Sequence, residues 1–520
     1  MGSPSIAEVA EKKPAVEVRE DVERNNESGV VEKDGSDSAS ASTAEPDFSD
    51  MDEKKVLRKM DTRLIPALAL LYLLSFLDRG NIGNAKIEGL DVDLGLKGGQ
   101  YNWCLTVFFF TYSTFEVPSN ILLKRLRPSV CMGYPICNLP SIMLAWGTVV
   151  TLMGVVQDYK GLLISRIFLG VAEAGLYPGV AYYITMWYCR HEVQLRQALF
   201  FSAASIAGAF SGLLAFAIAK MDGVGGYQGW RWIFILEGLL TVVVAVGAFF
   251  FIEDFPETAS FLSPREREFV IHRLKFQGSG LSGKKIPQTE EFKWKYIKEV
   301  FTDWQIYASL FVCVGIICPL YGTSLFLPSI IKDLGYTTST AQLLTVPIYV
   351  TAATLAVIVA WYSDKCGKRS PFVLGCMSFI GIGFIICISA AGRGLPGVVY
   401  AGVFIAICGI YPAFPGAVTW LANNLAGSYK RSAGMAFQIG VGNMSGAMAS
   451  NFYRAPDAPK YTLGHALELG FLVAGVISAV FMREAYKRVN AKREREGNQG
   501  FTDQELTEMG DKAPSFRYTL

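Results

Sequence analysis

Long apolar runs alternate with short polar breaks along most of this chain. A helix needs about 20 mostly apolar residues to cross the hydrocarbon of a bilayer. Runs of that kind fall at 64–84, 100–123, 130–156, 161–184, 197–219 and 232–252, then at 305–331, 341–363, 371–391, 396–420, 432–453 and 463–482. The pattern predicts an all-α membrane protein with twelve transmembrane helices in two six-helix bundles, 54–252 and 305–485. Three polar segments flank them: an N-terminal tail 1–53, a linker 253–304 and a C-terminal tail 486–520. The first is rich in Ser, Glu, Asp, Ala and Pro without an apolar core, so it reads as a disordered tail and not as a signal peptide. In the linker, Ser263-Pro-Arg-Glu266 forms a capping box with proline at the first helical position, which predicts a short amphipathic helix to about Phe276. No enzyme motif accompanies it, so the linker reads as a hinge or brace between the halves.

The loops after alternate spans are basic: Lys124, Arg125 and Arg127; Arg190 and Arg196; Lys365, Lys368 and Arg369; Lys430 and Arg431. Short cytoplasmic loops carry the positive excess, so both termini are expected in the cytoplasm of a multi-pass protein of the cell membrane. The halves also echo one another. Gly175-Leu-Tyr-Pro178 in the fourth span matches Gly409-Ile-Tyr-Pro412 in the tenth, with Trp187 and Arg196 downstream of one copy and Trp420 and Arg431 downstream of the other. Internal repeats of this kind mark transporters built from two related units.

Composition narrows the chemistry. With 51% hydrophobic and 18% charged residues, the chain is too apolar for an ordinary soluble protein of 520 residues. The net charge of +2, with no basic stripe, excludes a nucleic-acid partner. Ten cysteines without a C-x-x-C pair and three histidines suggest neither a disulfide framework nor a zinc site. A nucleotide-binding P-loop is missing, so ATP does not drive the protein, and no cofactor is expected beyond a coupling proton, for which the buried carboxylates are the candidates. The expected particle is a monomer in a lipid bilayer, not an enzyme, and its partner is a small organic anion.

A charge in a bilayer costs at least about 2.5 kcal/mol, so ionisable residues within spans are functional candidates by default. Asp78 and Arg79 lie in the first span, Glu116 in the second, Arg166 and Glu173 in the fourth and Glu237 in the sixth, whereas spans seven to eleven carry none in their interiors. Charge handling is therefore expected in the first half, and shape, aromatic and amide contacts in the second. Consecutive helical residues point about 100° apart, so Asp78 and Arg79 each need another partner. Arg79 shares a face with Tyr72, Ser75 and Gly83, and its planar guanidinium suits a carboxylate. An anion site and a structural ion pair both fit it. Arg166 and Glu173 stand about 10 Å apart on one face. A carboxylate in an apolar helix is suited to carry a proton, which makes Glu173 the first candidate for that role and Asp78 the second, with Arg166 beside them. Either member of the fourth-span pair also fits a plain bridge to the first span. Tyr177, Tyr321, Gln438 and Asn443 are candidate substrate contacts, and Tyr411 a further one. Glu116, beside Pro118 and Asn120, and Glu237, after Trp230-Arg-Trp232, read as packing or gate contacts. Small residues such as Gly208, Gly212, Gly442 and Gly446 allow close helix contact.

Asp364-Lys-Cys-Gly-Lys-Arg369, between the eighth and ninth spans, resembles the cytoplasmic loop motif of the major facilitator superfamily, with Ala360 where that motif starts on glycine. The resemblance implies gating by Asp364, Lys368 and Arg369. Its counterpart, Lys124-Arg-Leu-Arg127, lacks the aspartate. Further motifs, Leu77-Asp-Arg-Gly-Asn-Ile-Gly-Asn-Ala85, Phe115-Glu-Val-Pro-Ser-Asn120, Arg166 to Pro178, Gly229-Trp-Arg-Trp232 and Gly442-Asn-Met-Ser-Gly446, resemble the fungal anion:cation symporters, the allantoate, nicotinate and vitamin permease group. That resemblance, running from about 54 to 485, implies the major facilitator fold and proton-coupled uptake of a carboxylate metabolite. It also implies coupling and anion recognition at Asp78, Arg79 and Glu173. Export of a secondary metabolite or drug is the rival reading, disfavoured because proton antiporters of the superfamily usually carry a Gly-Pro signature in the fifth span and this chain has none. A non-transporting nutrient receptor fits the same fold.

Overall fold

A computed structural model describes Phe48 and residues 50–125, 138–189, 192–253, 255–275, 294–496 and 509–520. The 1–53 tail falls almost wholly outside these residues, as do 126–137 and 276–293. Residues Met51–Leu520 pack as one unit. Its helices are α1 (Glu53–Ile87), α2 (Leu90–Asp93), α3 (Gln100–Arg125), α4 (Asn138–Met153), α5 (Tyr159–Glu173), α6 (Leu176–Trp187), α7 (Val193–Ile218), α8 (Gly229–Phe251), α9 (Pro264–Lys275), α10 (Trp294–Val300), α11 (Trp304–Asp333), α12 (Thr338–Cys366), α13 (Ser370–Ala390), α14 (Pro396–Asn424), α15 (Ser428–Ala449) and α16 (Thr462–Glu496).

Local chemistry sets the ends of these helices. The Asp52 carboxylate accepts from the backbone N–H groups of Lys54 and Lys55, Asp303 accepts from that of Gln305, and Thr337 from that of Thr340. Gly367 closes α12 at φ +63°, a left-handed backbone that suits glycine. The fourth span is two helices, not one: α5 stops at Glu173 and α6 restarts at Leu176. Pro178 supplies no N–H for the carbonyl of Ala174, which weakens the ladder at that point. At the other end of the chain α16 runs past 482 to Glu496, carried by a charged last stretch that needs no membrane.

Six spans form each half: α1, α3, α4, α5 with α6, α7 and α8 in one, α11 to α16 in the other. Among the described residues, eight helices are long and apolar enough to cross a membrane by that measure alone. The rest of the twelve fall short for two reasons. Helix α4 is described only from Asn138 and the fourth span is split into α5 and α6 of 15 and 12 residues, each too short, while α3 and α15 are diluted by the polar residues that build the centre of the molecule.

Odd-numbered and even-numbered crossings define two sides: the tail side, where α1 begins and α16 ends, and the far side. The halves meet along α1 with α11, α3 with α15, and α7 with α12 and α14. On the far side these seams are tight. A Cβ on Gly83 would lie 2.7 Å from the Leu325 carbonyl oxygen, and one on Gly212 2.6 Å from that of Gln342, so only glycine permits these approaches. Four hydrogen bonds stitch the same side: Asn102 Nδ2 to the Ser450 carbonyl (2.7 Å), Asn451 Nδ2 to Thr106 Oγ1 (2.9 Å), Lys332 Nζ to the Ile87 carbonyl (2.9 Å) and Gln342 Nε2 to Glu88 Oε1 (2.9 Å).

On the tail side each half is braced from within. The capping box forms as the sequence predicts, with Ser263 N–H donating to Glu266 Oε2 (2.7 Å) and Glu266 N–H to Ser263 Oγ (3.3 Å). Helix α9 ties to the first half through Lys59 to Glu266 (2.7 Å) and Arg273 to both Glu53 (2.7 Å) and Glu192 (2.5 Å). The second half is braced by residues 509–520. There Lys430 bridges Asp303 (2.7 Å) and Asp511 (2.8 Å), Asn424 and Trp420 bond the backbone of Thr519, and the Arg369 N–H donates to the Leu520 carbonyl (2.6 Å).

Candidate functional site

The centre of the molecule is a cavity lined from both halves by Phe76, Arg79, Arg166, Tyr321, Tyr349 and Tyr411, among others. Arg79 organises it. Its Nε donates to Glu173 Oε1 at 2.7 Å, with the two side chains 10% and 1% exposed, and Ser75 Oγ donates to the same carboxylate oxygen. Arg79 Nη1 donates across the seam to the Tyr321 hydroxyl (3.1 Å), which donates to Asn443 Oδ1 (3.0 Å). Asn443 Nδ2 then returns across the seam to Glu116 Oε2 (3.1 Å). One polar chain thus runs α5–α1–α11–α15–α3. The guanidinium sits among the rings of Tyr112 (4.5 Å), Phe76 (5.2 Å) and Phe108 (5.6 Å), which supply cation–π contact while excluding water.

Asp78, the neighbour of Arg79, faces away into the first half. Its Oδ2 accepts from Trp146 Nε1 (3.0 Å) and Thr241 Oγ1 (3.2 Å). One turn on, Asn81 Nδ2 donates to Glu237 Oε2 (2.6 Å), and Asn84 Nδ2 donates to Ser211 Oγ (2.7 Å). Asp78 and Glu237 therefore share a second polar network among α1, α4, α7 and α8, behind the cavity. Arg166 is 2% exposed with its guanidinium 5.8 Å over the Phe108 ring, within the field of Glu173 and Asp78. Its Nε and Nη2 have no hydrogen-bond partner among the described residues.

Not every residue singled out by sequence comes to the cavity. Gln438 is fully buried, and its Nε2 donates to Ser309 Oγ (2.5 Å) within the second half. Tyr177 stands on the tail side of Arg79 in an aromatic layer, 5.8 Å from Tyr72, 6.1 Å from Phe200 and 6.5 Å from Phe414 of the other half. Phe201 and Phe414 meet in the same layer at 4.6 Å. Asp364 Oδ1 pairs with Arg369 Nη1 (2.7 Å), and the Lys368 carbonyl accepts from Ser363, so this loop motif folds on itself at the tail side. Glu116 lies at the centre, not at an end, bonded across the seam. Phe108, which lines the cavity, and Tyr112, under the Arg79 guanidinium, went unremarked because aromatic side chains carry no signal in an apolar run.

A buried ion pair with both members satisfied adds little net stability, but removing one partner is expensive. In the Arg79–Glu173 pair, Glu173 Oε2 has no hydrogen-bond partner among the described residues. A proton on Glu173 leaves the guanidinium in need of another anion.

Two six-helix bundles around a charged central cavity are the architecture of a membrane transporter. The sequence profile described as Major Facilitator Superfamily matches residues 68–450, and the chain belongs to that family. Among its relatives, an "MFS-type transporter cnsO" from Penicillium expansum is 35% identical over 91% of this chain and 92% of that protein. A "High-affinity nicotinic acid transporter" from Saccharomyces cerevisiae is 34% identical over 90% of this chain and 85% of that one. In three dimensions the chain is similar to an inward-facing bacterial homolog of the human lysosomal transporter Spinster, with TM-score 0.58, 15% identity and coverage of 83% and 97%. That last likeness is one of fold alone.

Proposed function

We propose that the protein is a proton-coupled symporter that imports a small organic carboxylate across the fungal cell membrane as a monomer, with both termini in the cytoplasm. The observation that carries this reading is the hydrogen bond between Arg79, at the wall of the central cavity, and Glu173, buried behind it. Protonation of Glu173 releases Arg79, the substrate carboxylate takes its place, and the two events become one. The tyrosines around the cavity suit a planar ring on the anion, and the nicotinic acid transporter among the relatives makes nicotinate the first substrate to try.

The basic flank of α1, Lys54, Lys55, Arg58 and Lys59, supports a cytoplasmic tail side. In that orientation the tight glycine seams close the outside, and the aromatic layer of Tyr72, Tyr177, Phe200, Phe201 and Phe414 is the inner gate that must part for release. Asp364, Lys368 and Arg369 tune the same step from the loop. Asp78, one turn from Glu237's partner Asn81 and within the field of Arg166, is a second proton carrier. Two protons with one monovalent anion move net positive charge, to which the membrane potential contributes about 2.3 kcal/mol per 100 mV.

Uptake of radiolabelled nicotinate and a panel of other carboxylates into cells at two external pH values tests the reading. Accumulation that rises with external acidity, with an inward current, is expected. Net outward flux supports an exporter in its place, and absence of flux a receptor. Accumulation without current removes the two-proton version for a monovalent anion.

A further inference from the structure

The second half contains a buried acid that no step above uses. Glu468 lies two turns into α16 from the far side and is fully buried. Neither of its carboxyl oxygens has a hydrogen-bond partner among the described residues. Its carboxyl packs directly against the backbone of α11, since a Cβ on Gly322 would overlap Oε1. Around it stand the Cys318 thiol of α11, Tyr453 from the connection between α15 and α16, Cys387 of α13 near Tyr453, and His465 three residues back on its own helix. His465 is 1% exposed, its Nδ1 lies 3.1 Å from the Tyr453 hydroxyl, and its ring lies tilted 5.9 Å from that of Phe384. Towards the far side follow Tyr461, 5.7 Å ring to ring from Tyr453, and Asp333, which accepts from the Tyr461 hydroxyl at 2.5 Å.

An ionised carboxylate in this position meets no cation among the described residues and has only the weak Cys318 thiol within reach as a donor, and the cost of such a charge inside a membrane protein is several kcal/mol. A neutral carboxyl costs far less and fits flat against a glycine. We infer that Glu468 is a proton-binding site of the second half, separate from the Arg79–Glu173 pair, and that His465 and Tyr453 connect it to the far side. Its location gives the proton a task. Glu468 presses on α11 next to Tyr321, the residue that takes the hydrogen bond of Arg79. Loss of the proton forces α16 away from Gly322 and shifts the wall on which Arg79 rests.

The test uses the full-length purified protein in lipid nanodiscs, and its readouts do not depend on transport. Infrared spectra of wild type and Glu468→Gln are compared from acid to alkaline pH. The wild type is expected to show a neutral-carboxyl carbonyl band that persists above neutrality and is lost in the variant. Because the folded protein then holds a proton that unfolded glutamate gives up, Tm falls as pH rises above the ordinary carboxylate range, and Glu468→Gln falls less steeply. His465→Gln keeps the band but slows its exchange in deuterated buffer. A wild-type spectrum unchanged by Glu468→Gln, or a variant Tm slope equal to that of wild type, overturns the inference. So does failure of both Glu468→Gln and Glu468→Met to fold, the outcome expected of an ionised, paired carboxylate. If pH-driven uptake fails while these spectra behave as stated, the symport reading falls and this site stands.

Discussion

The two halves share an architecture and differ in how they handle charge. In the first, Glu173, Asp78, Glu116 and Glu237 are buried, Arg79 is nearly so, and each of the five holds at least one hydrogen-bond partner in one of two networks, with Arg166 buried beside them. Within the membrane part of the second, amides, hydroxyls and tyrosines dominate, with Glu468 unpaired among the described residues, while its most buried ion pairs gather at the tail-side end around Lys430. In the proposed cycle the first half offers these charges to a ligand. A half built around neutral donors supplies a wall of fixed shape. Tyr321 and Asn443 are the points where the wall reads the network, because each bonds directly to a charged side chain opposite.

The comparison breaks most visibly at Arg79. Arg79→Ala leaves Glu173 buried without its cation and removes the substrate's counter-charge, a loss of about 3 kcal/mol or more, which is roughly a hundredfold in affinity. Binding of labelled nicotinate to purified protein measures it, with unaltered elution on size exclusion as the check that the variant folds. Glu173→Gln comes next. The neutral amide imitates the protonated acid, so uptake against a gradient is expected to stop while exchange of internal for external substrate continues, as counterflow in proteoliposomes reads directly. Normal accumulation by a well-expressed Glu173→Gln removes that residue from coupling.

Smaller effects follow where the halves touch without charge exchange. Asn443→Ala cuts the link to Glu116 and frees Tyr321, at about 1 kcal/mol, or roughly fivefold in KM, with the maximal rate nearly unchanged. The smallest belongs to the linker. Burial pushes the Glu266 carboxyl up slightly, but hydrogen bonds from Lys59 and Ser263 outweigh it and hold the group below the usual carboxylate range. A depressed acid contributes stability above its unfolded value and loses it as pH falls through the folded one. Lys59→Ala therefore lowers stability by about 0.5 kcal/mol or less near neutrality, and that difference from wild type vanishes in acid. Thermal unfolding at two pH values checks it.

Much of the fold was legible because a bilayer demands long apolar helices, and that demand is written residue by residue. The linker helix was equally plain, since a capping box is a local signal. The break between α5 and α6 was not read, although Gly175 and Pro178 mark it, because the apolar run continues across it. For the site, the choice of residue types was readable and the pairing was not. Arg79 and Glu173 are 94 positions apart, and only the assembly of the first bundle decides that they meet. Gln438 shows the opposite case: an amide on a polar face turned to a neighbouring helix and not to the cavity, which helical periodicity alone does not distinguish. Glu468 escaped notice as one acid in the last apolar run, and the fold of 509–520 onto the tail side depends on Lys430 and Arg493, far away in sequence.

The central claim is that a carboxylate ligand and a proton enter together because Glu173 and the ligand compete for Arg79. Proton uptake on adding nicotinate to the purified carrier in weakly buffered solution tests this most directly. The account predicts alkalinisation by wild type and a clear reduction of it in Glu173→Gln that still binds the ligand. Equal proton uptake by both, or none by the wild type at saturating ligand, contradicts it.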